Sequence, residues 1–136
     1  MNIDNIVSKL KKGVDKNPSI LFAYLHGSVL SSEHPKDIDI AVYLRSNIYD
    51  RLTNQAGISM DFAIPLEFEL ERILGKRVDV QVINRAPLGF RYRIIKEGRL
   101  FVDNNSNIRC DFEYLSMVEY FDFSPRHQEY FQEVTT

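Results

Sequence analysis

The sequence predicts an α/β (α+β) domain with a small mixed β-sheet and helices mainly on one side of it. Short apolar runs of strand length alternate with longer stretches in which apolar residues recur every three or four positions. Glycine and proline residues punctuate these stretches. The chain has 136 residues, 44% hydrophobic and 26% charged, which is typical of a globular protein. We therefore expect one domain over residues 1–136, with a C-terminal helical segment from about residue 105.

The first predicted elements are a helix and two strands. Apolar residues at helical spacing over residues 3–14 predict a helix that Asn17-Pro18 ends. The apolar run 20–25 predicts a buried strand, which Gly27-Ser28 follows at a tight turn. Residues 37–44 predict a second strand. Residues 45–57 are polar and predict only a partly helical connection.

A second helix is predicted over residues 59–74, where apolar side chains form a stripe that Gly75 ends. Pro65 lies inside this stretch. A proline is accommodated in the first turn of a helix but kinks its interior, so the helix either restarts at Pro65 or bends there.

The remaining elements are two strands and two helices. Residues 77–83 predict a strand with valines on one face and Asp79 on the other. Residues 84–98 predict a helix, 100–102 a short strand, and 106–121 a last helix that Ser124-Pro125 breaks. The side chains expected to be buried on these two helices are Leu88, Tyr92, Ile95, Phe112, Leu115 and Val118.

The chemistry is concentrated at the first strand pair. Side chains two apart share a face of a strand, so Asp37 and Asp39 point the same way. Two adjacent carboxylates repel each other, and a divalent cation relieves that repulsion. Gly27 permits close approach of a ligand, and Ser28 is suited to capping a helical turn that faces a phosphate. The alternative is a solvated edge strand with two exposed acids.

This motif resembles that of the nucleotidyltransferase superfamily with the DNA polymerase β fold. The resemblance lies in Gly27-Ser28, eight intervening residues, and Asp37-x-Asp39. The short length and later segments resemble the minimal branch, the MNT-type antitoxins of HEPN/MNT toxin–antitoxin modules. The resemblance covers roughly residues 19–123.

The resemblance implies a site and a reaction. Gly27 and Ser28 would bind the triphosphate, while Asp37, Asp39 and Asp79 would be catalytic and hold two Mg²⁺ ions. The third acid, Asp79, lies in a Val-Asp-Val context that matches the family pattern. The implied reaction is transfer of AMP from ATP to a tyrosine of a partner HEPN ribonuclease toxin, which neutralises it.

Two other functions stay open. A small-molecule nucleotidyltransferase, such as an antibiotic-modifying enzyme, would need a second substrate-binding domain that so short a chain lacks. An antitoxin that binds its toxin without chemistry would have no need of three convergent acids.

Charge and composition limit the partners. Residues 1–102 carry 15 basic and 12 acidic groups, whereas residues 103–136 carry two basic and seven acidic groups. The acidic end argues against direct nucleic-acid binding. Its aromatic residues predict docking on the domain or on a partner. Without an apolar span or leader, and with the single Cys110, we expect a cytoplasmic protein and no membrane contact.

Several polar residues have no assigned role. His26 precedes Gly27 and is either structural or a contact to metal or phosphate. His34 and Lys36 flank the loop before the acidic strand, and His127 lies near the end of the chain. Basic residues crowd the segment around the third helix and either hold a triphosphate, meet an acidic partner or are solvated: Arg85, Arg91, Arg93, Lys96 and Arg99.

Overall fold

The computed structural model describes residues 2–54 and 57–122, and the helical backbone onward to residue 135. The helices are α1 Ile3–Asp15, α2 Ser46–Thr53, α3 Ile64–Leu74, α4 Leu88–Glu97 and α5 Ser106–Thr135. The strands are β1 Ile20–His26, β2 Asp37–Leu44, β3 Arg77–Val82 and β4 Arg99–Asp103. A 3₁₀ turn spans Gly27–Leu30 and a π-helical turn spans Ser59–Ala63. Within the described residues, no helix is both long enough and apolar enough to span a membrane.

The four strands form one sheet in the order β3-β2-β1-β4. β1 pairs antiparallel with β2 and with β4, whereas β3 runs parallel to β2. The sheet is therefore mixed. The predicted α/β class is confirmed.

Alternate residues of β2 face two different helix layers. Ile38 and Ile40 belong to the larger core, which α1, α2 and α3 cover. Ala41 and Tyr43 point the other way, toward a smaller cluster that includes Phe112 of α5. Most of the helices thus lie on one face, as predicted, and α4 and α5 cover part of the other.

The helix before β3 restarts at its proline. The π-helical turn leads directly into α3, and Pro65 occupies the first turn of α3, where its missing N–H costs no hydrogen bond. Gly75 ends the helix with a φ of 68°, a left-handed conformation that favours glycine. Both features follow the expectations from the sequence.

The predicted buried residues of the last two helices were partly wrong. On α4 the buried residue is Ile94, whereas the predicted Leu88, Tyr92 and Ile95 are only partly buried. The ring of Tyr92 stacks on Tyr120 of α5 at 4.0 Å. On α5 Phe112 is buried as predicted, but Leu115 and Val118 are exposed. The helical spacing was right, but it did not identify which neighbour each face meets.

The predicted break at Ser124-Pro125 was also wrong. The helical backbone of α5 continues to Thr135. A proline removes one N–H and crowds the preceding turn, which kinks a helix without always ending it.

Candidate active site

The turn after β1 packs directly against a carboxylate of β2. Gly27 has a φ of 83°, and a Cβ built on it would collide with Oδ2 of Asp39. Both facts require glycine here. Ser28 is exposed inside the 3₁₀ turn and does not cap it as expected, because His26 holds the cap position. The carbonyl of Ser28 accepts hydrogen bonds from the N–H groups of Ser31 and Ser32.

Three aspartates meet on the same face of the sheet. Asp39 is the register partner of His26 on β1 and of Asp79 on β3, so these three side chains form one row across the sheet. Asp37 lies two residues before Asp39 on the same face. A cleft of about 430 Å³ is lined by Asp37, Asp39, Glu67, Glu71, Arg77, Val78 and Asp79.

The electrostatics of this row centre on Asp39. Burial raises the pKa of Asp39 above its ordinary value of 3.8, His26 opposes that shift, and Asp79 and Asp37 add to it. Negative charge is therefore crowded around Asp39, which is the partly buried one of the three aspartates. A cation placed between these oxygens would lower the free energy of the ionised site.

The donor set suits Mg²⁺. In the described part of the chain, no three His, Cys, Asp or Glu side chains are close enough together to form a complete metal site on their own. Mg²⁺ binds through one or two carboxylates and completes its octahedron with water and substrate phosphate oxygens. Asp39, with Asp37 and Asp79 on the same face, provides that partial set.

Sequence reasoning missed two further acids at this cleft. Glu67 accepts a hydrogen bond from the N–H of Val80 at 2.8 Å, and Glu71 accepts one from the N–H of Val78 at 3.1 Å. Both therefore fix α3 to the free edge of β3, while their side chains also line the cleft. Their spacing of four residues shows that they share a helix face. It does not show that this face meets β3.

A second recess lies on the other side of the Gly27 turn, between that turn and α4. It measures about 410 Å³ and is lined by His26, Gly27, Ser28, Leu30, Ser31, Arg93, Ile94 and Glu97. Its exposed cation is Arg93. Three other arginines of the basic segment are near acids elsewhere: Arg85 by Asp50 (3.9 Å), Arg91 by Glu119 (3.8 Å) and Arg99 by Asp4 (3.4 Å).

His26 lies between the two cavities. Its ring contacts Phe90 of α4 edge-on at 5.8 Å, and its buried Nε2 has no hydrogen-bond partner among the described residues. Burial lowers its pKa, against the opposing effect of Asp39. His34 and Lys36 are exposed, line neither cavity and join no site here. His127 and the aromatics Phe123, Tyr130 and Phe131 lie outside the residues with described side chains.

Comparison with known families identifies a family for this sequence. The sequence model of the family described as "Polymerase beta, Nucleotidyltransferase" matches residues 8–107, well over half of the chain. The matched span contains both the Gly27-Ser28 turn and all three aspartates. No curated protein matches the sequence significantly.

Solved structures share the fold at low identity. The chain resembles a structure of the toxin–antitoxin MntA-HepT, with 19% identity, a TM-score of 0.66, and coverage of 98% of this chain and 99% of that one. A second is the tri-AMPylated Shewanella oneidensis HEPN toxin in complex with MNT antitoxin, with 20% identity, a TM-score of 0.66 and 98% coverage of both chains. A third is a toxin–antitoxin with AMP-PNP, at 21% identity, a TM-score of 0.65, and coverage of 98% and 99%.

Proposed function

This chain belongs to the polymerase β nucleotidyltransferase family, and we propose that it transfers AMP from ATP to a tyrosine of a HEPN-family toxin and so neutralises it. The observation that carries the proposal is the row of Asp79 and Asp39 across the sheet, with the Gly27 turn packed against Asp39. That arrangement puts carboxylates and a phosphate-accessible backbone within reach of one substrate.

The phosphates of ATP bind on the Gly27 side of the row. Glycine at the turn leaves the backbone open to a ligand, and the Ser28 hydroxyl beside it is exposed to donate a hydrogen bond. Arg93 faces the same recess from α4 and supplies positive charge for the leaving pyrophosphate.

The carboxylates are the residues that would hold the metal and direct the acceptor. Asp37 and Asp39 would hold two Mg²⁺ ions, with Asp79 as a further ligand, and the ions would neutralise phosphate charge. Asp79 positions the acceptor hydroxyl and accepts its proton, directly or through water. Oη of the tyrosine forms a bond to the α-phosphorus, the bond from that phosphorus to the bridging oxygen breaks, and pyrophosphate leaves.

The sheet order suits an in-line displacement. Asp79 is on β3, Asp39 is on β2, and the Gly27 turn follows β1. Asp79, which is next to the acceptor, and the Gly27 turn, which is next to the leaving group, therefore lie on opposite sides of Asp39. In-line transfer requires the attacking and leaving oxygens on opposite sides of the phosphorus.

The choice of AMP, tyrosine and toxin rests on the shared fold and on the motif. The similar solved structures include an AMPylated HEPN toxin with an MNT antitoxin and a complex with AMP-PNP, an ATP analogue. The small-molecule enzyme and the binding-only antitoxin remain the competing functions, and a single experiment separates the three.

The experiment is intact-mass spectrometry of a HEPN toxin, preferably one encoded beside this protein, after incubation with this protein, Mg²⁺ and ATP. We expect mass additions in whole AMP units, and none with Asp37→Asn/Asp39→Asn. Neutralisation without added mass, equally by wild type and by the variant, would establish binding alone. AMP transfer to an aminoglycoside but not to the toxin would establish the small-molecule enzyme.

A further inference from the structure

The outward face of the helix before β3 carries an apolar stripe, defined here as Met60, Ile64 and Phe68. Their exposed fractions are 68%, 37% and 68%. The three residues recur every four positions, from the π-helical turn into α3, and extend along roughly 12 Å of helix. Exposed side chains of this size in a row indicate a surface made for contact rather than scattered apolar residues.

The apolar stripe borders the acidic cleft. Glu67 and Glu71 are three and seven positions after Ile64, so they share a side of α3 with it and with Phe68. Both glutamates line the cleft and bind the edge of β3. A partner resting on the stripe would therefore lie next to Asp79, on the strand at that edge.

The direction of the reaction selects this side for the acceptor. The leaving pyrophosphate occupies the Gly27 side, so the attacking hydroxyl arrives from the opposite side of Asp39, over β3. The helix that flanks β3 is α3. A protein acceptor has to rest on the surface that surrounds this approach, and the apolar stripe is part of it.

The segment that carries the apolar stripe is itself acidic. Residues 59–74 have a net charge of −3, from the single base Arg72 and the four acids Asp61, Glu67, Glu69 and Glu71. A partner with an apolar anchor ringed by lysine or arginine complements such a surface.

We propose that the apolar stripe is the docking surface for the protein that carries the acceptor hydroxyl, and that it receives a basic surface with an apolar anchor. The inference rests on the proposed function for the identity of the partner. The inference identifies the face of this protein that binds the partner, and it explains why a partner bound there lies next to Asp79.

The test is binding of the HEPN toxin to Met60→Ser/Phe68→Ser, measured by calorimetry beside the rate of AMP addition. We expect the Kd for the toxin to rise at least tenfold, with the ATP-induced rise in melting temperature unchanged. The matched control is Ile108→Ser on α5, which removes an apolar side chain that is 37% exposed, as Ile64 is, and that lies outside the aromatic residues of that segment. It should leave the Kd unchanged.

Opposite charges at one position test the basic partner. Phe68→Lys should weaken toxin binding more than Phe68→Glu does, because lysine repels a basic surface. The reverse order would overturn the proposed charge of the partner. Equal toxin affinity for wild type and Met60→Ser/Phe68→Ser would overturn the proposed docking surface. If the double substitution changed only the self-association of this protein, the proposal would also be overturned, and the apolar stripe would be assigned to contact with a second copy of this chain.

Failure of the proposed function looks different. A wild type that binds the toxin without adding AMP would refute catalysis, yet the binding comparison would still test the stripe. A wild type that binds no HEPN toxin would overturn both proposals.

Discussion

One face of the sheet has two ends with opposite character. At one end Phe22, Tyr43 and Phe112 form a packed cluster, with Phe22 stacked on Tyr43 at 4.6 Å and Phe112 5.2 Å from Tyr43. At the other end, four residues earlier along β2, Asp39 faces a cleft with Asp79. The same strands supply both ends.

The difference lies in what covers the strands. α5 seals the aromatic end, whereas the described helices leave the aspartate end open to the cleft. Apolar rings gain free energy from that cover, and carboxylates would lose hydration under it. The sheet therefore separates into an end that contributes stability and an end available for chemistry, and substitutions should affect the two ends differently.

The largest effect is expected at the open end. Asp37→Asn/Asp39→Asn should reduce Mg²⁺-dependent AMP transfer on the order of 10³-fold, because the phosphoryl charge loses its stabilisation. The melting temperature should stay the same or rise, because the burial that mainly raises the pKa of Asp39, and the repulsion from nearby carboxylates that adds to it, no longer act on a charged group. Initial rates and thermal melts measure both, with Asp111→Asn on α5 as control. Undiminished transfer would refute the assignment, and an unfolded variant would make the acids structural.

The reverse result is expected at the packed end. Phe112→Ala should lower the free energy of unfolding by about 3 kcal/mol, because it leaves a cavity against Phe22 and Tyr43. AMP transfer per folded molecule should change little. Denaturant unfolding and rates at a temperature where the variant is folded would test this. A loss of activity as large as that of the aspartate variant would show that the two ends are not separate.

The turn between β1 and its 3₁₀ segment should show a mixed response. Ser28→Ala should weaken ATP binding by about 1 kcal/mol through loss of a hydrogen bond and leave the melt unchanged. Gly27→Val should impair both, because its φ of 83° and the nearby Asp39 oxygen disfavour a side chain. Thermal melts with and without Mg-ATP compare the two. An unchanged nucleotide-induced shift for Ser28→Ala would exclude an important hydroxyl contact.

The smallest effect concerns pH. Burial raises the pKa of Asp39 in the folded state above its ordinary value of 3.8, so the folded protein binds this proton more tightly than the unfolded chain does. That preference stabilises the folded state at low pH, and the stabilisation is lost as the pH rises through the raised pKa. Asp39→Asn cannot ionise, so its free energy of unfolding should fall less than that of the wild type from about pH 4 to pH 6. Metal-free urea unfolding across that range tests the direction. Parallel curves for the two proteins would contradict the shift.

Local patterns were enough to predict where several of these side chains lie. Alternation along β2 put Asp37 and Asp39 on one face, and the Gly27-Ser28 spacing anticipated the turn beside them. Pro65 and Gly75 marked the ends of α3, because proline and glycine constrain the backbone by their own covalent structure.

Long-range contacts account for what was missed. Nothing in the local sequence shows that Glu67 reaches the N–H of Val80, because that bond joins a helix to a strand 13 residues later. The same holds for Tyr92, because its ring packs on Tyr120 of another helix, and the local sequence does not show that contact. The residues with roles set by tertiary packing were therefore those that sequence patterns assigned wrongly or overlooked.

The hydrogen bonds that β3 donates to carboxylates of α3 also affect how the protein behaves in a crowded solution. β3 is at the edge of the sheet, and an unpaired edge strand can recruit a strand of another molecule. The carboxylates of Glu67 and Glu71 occupy the N–H groups of Val80 and Val78, which such a strand would need. Two acidic side chains thus protect this edge against sheet-to-sheet aggregation.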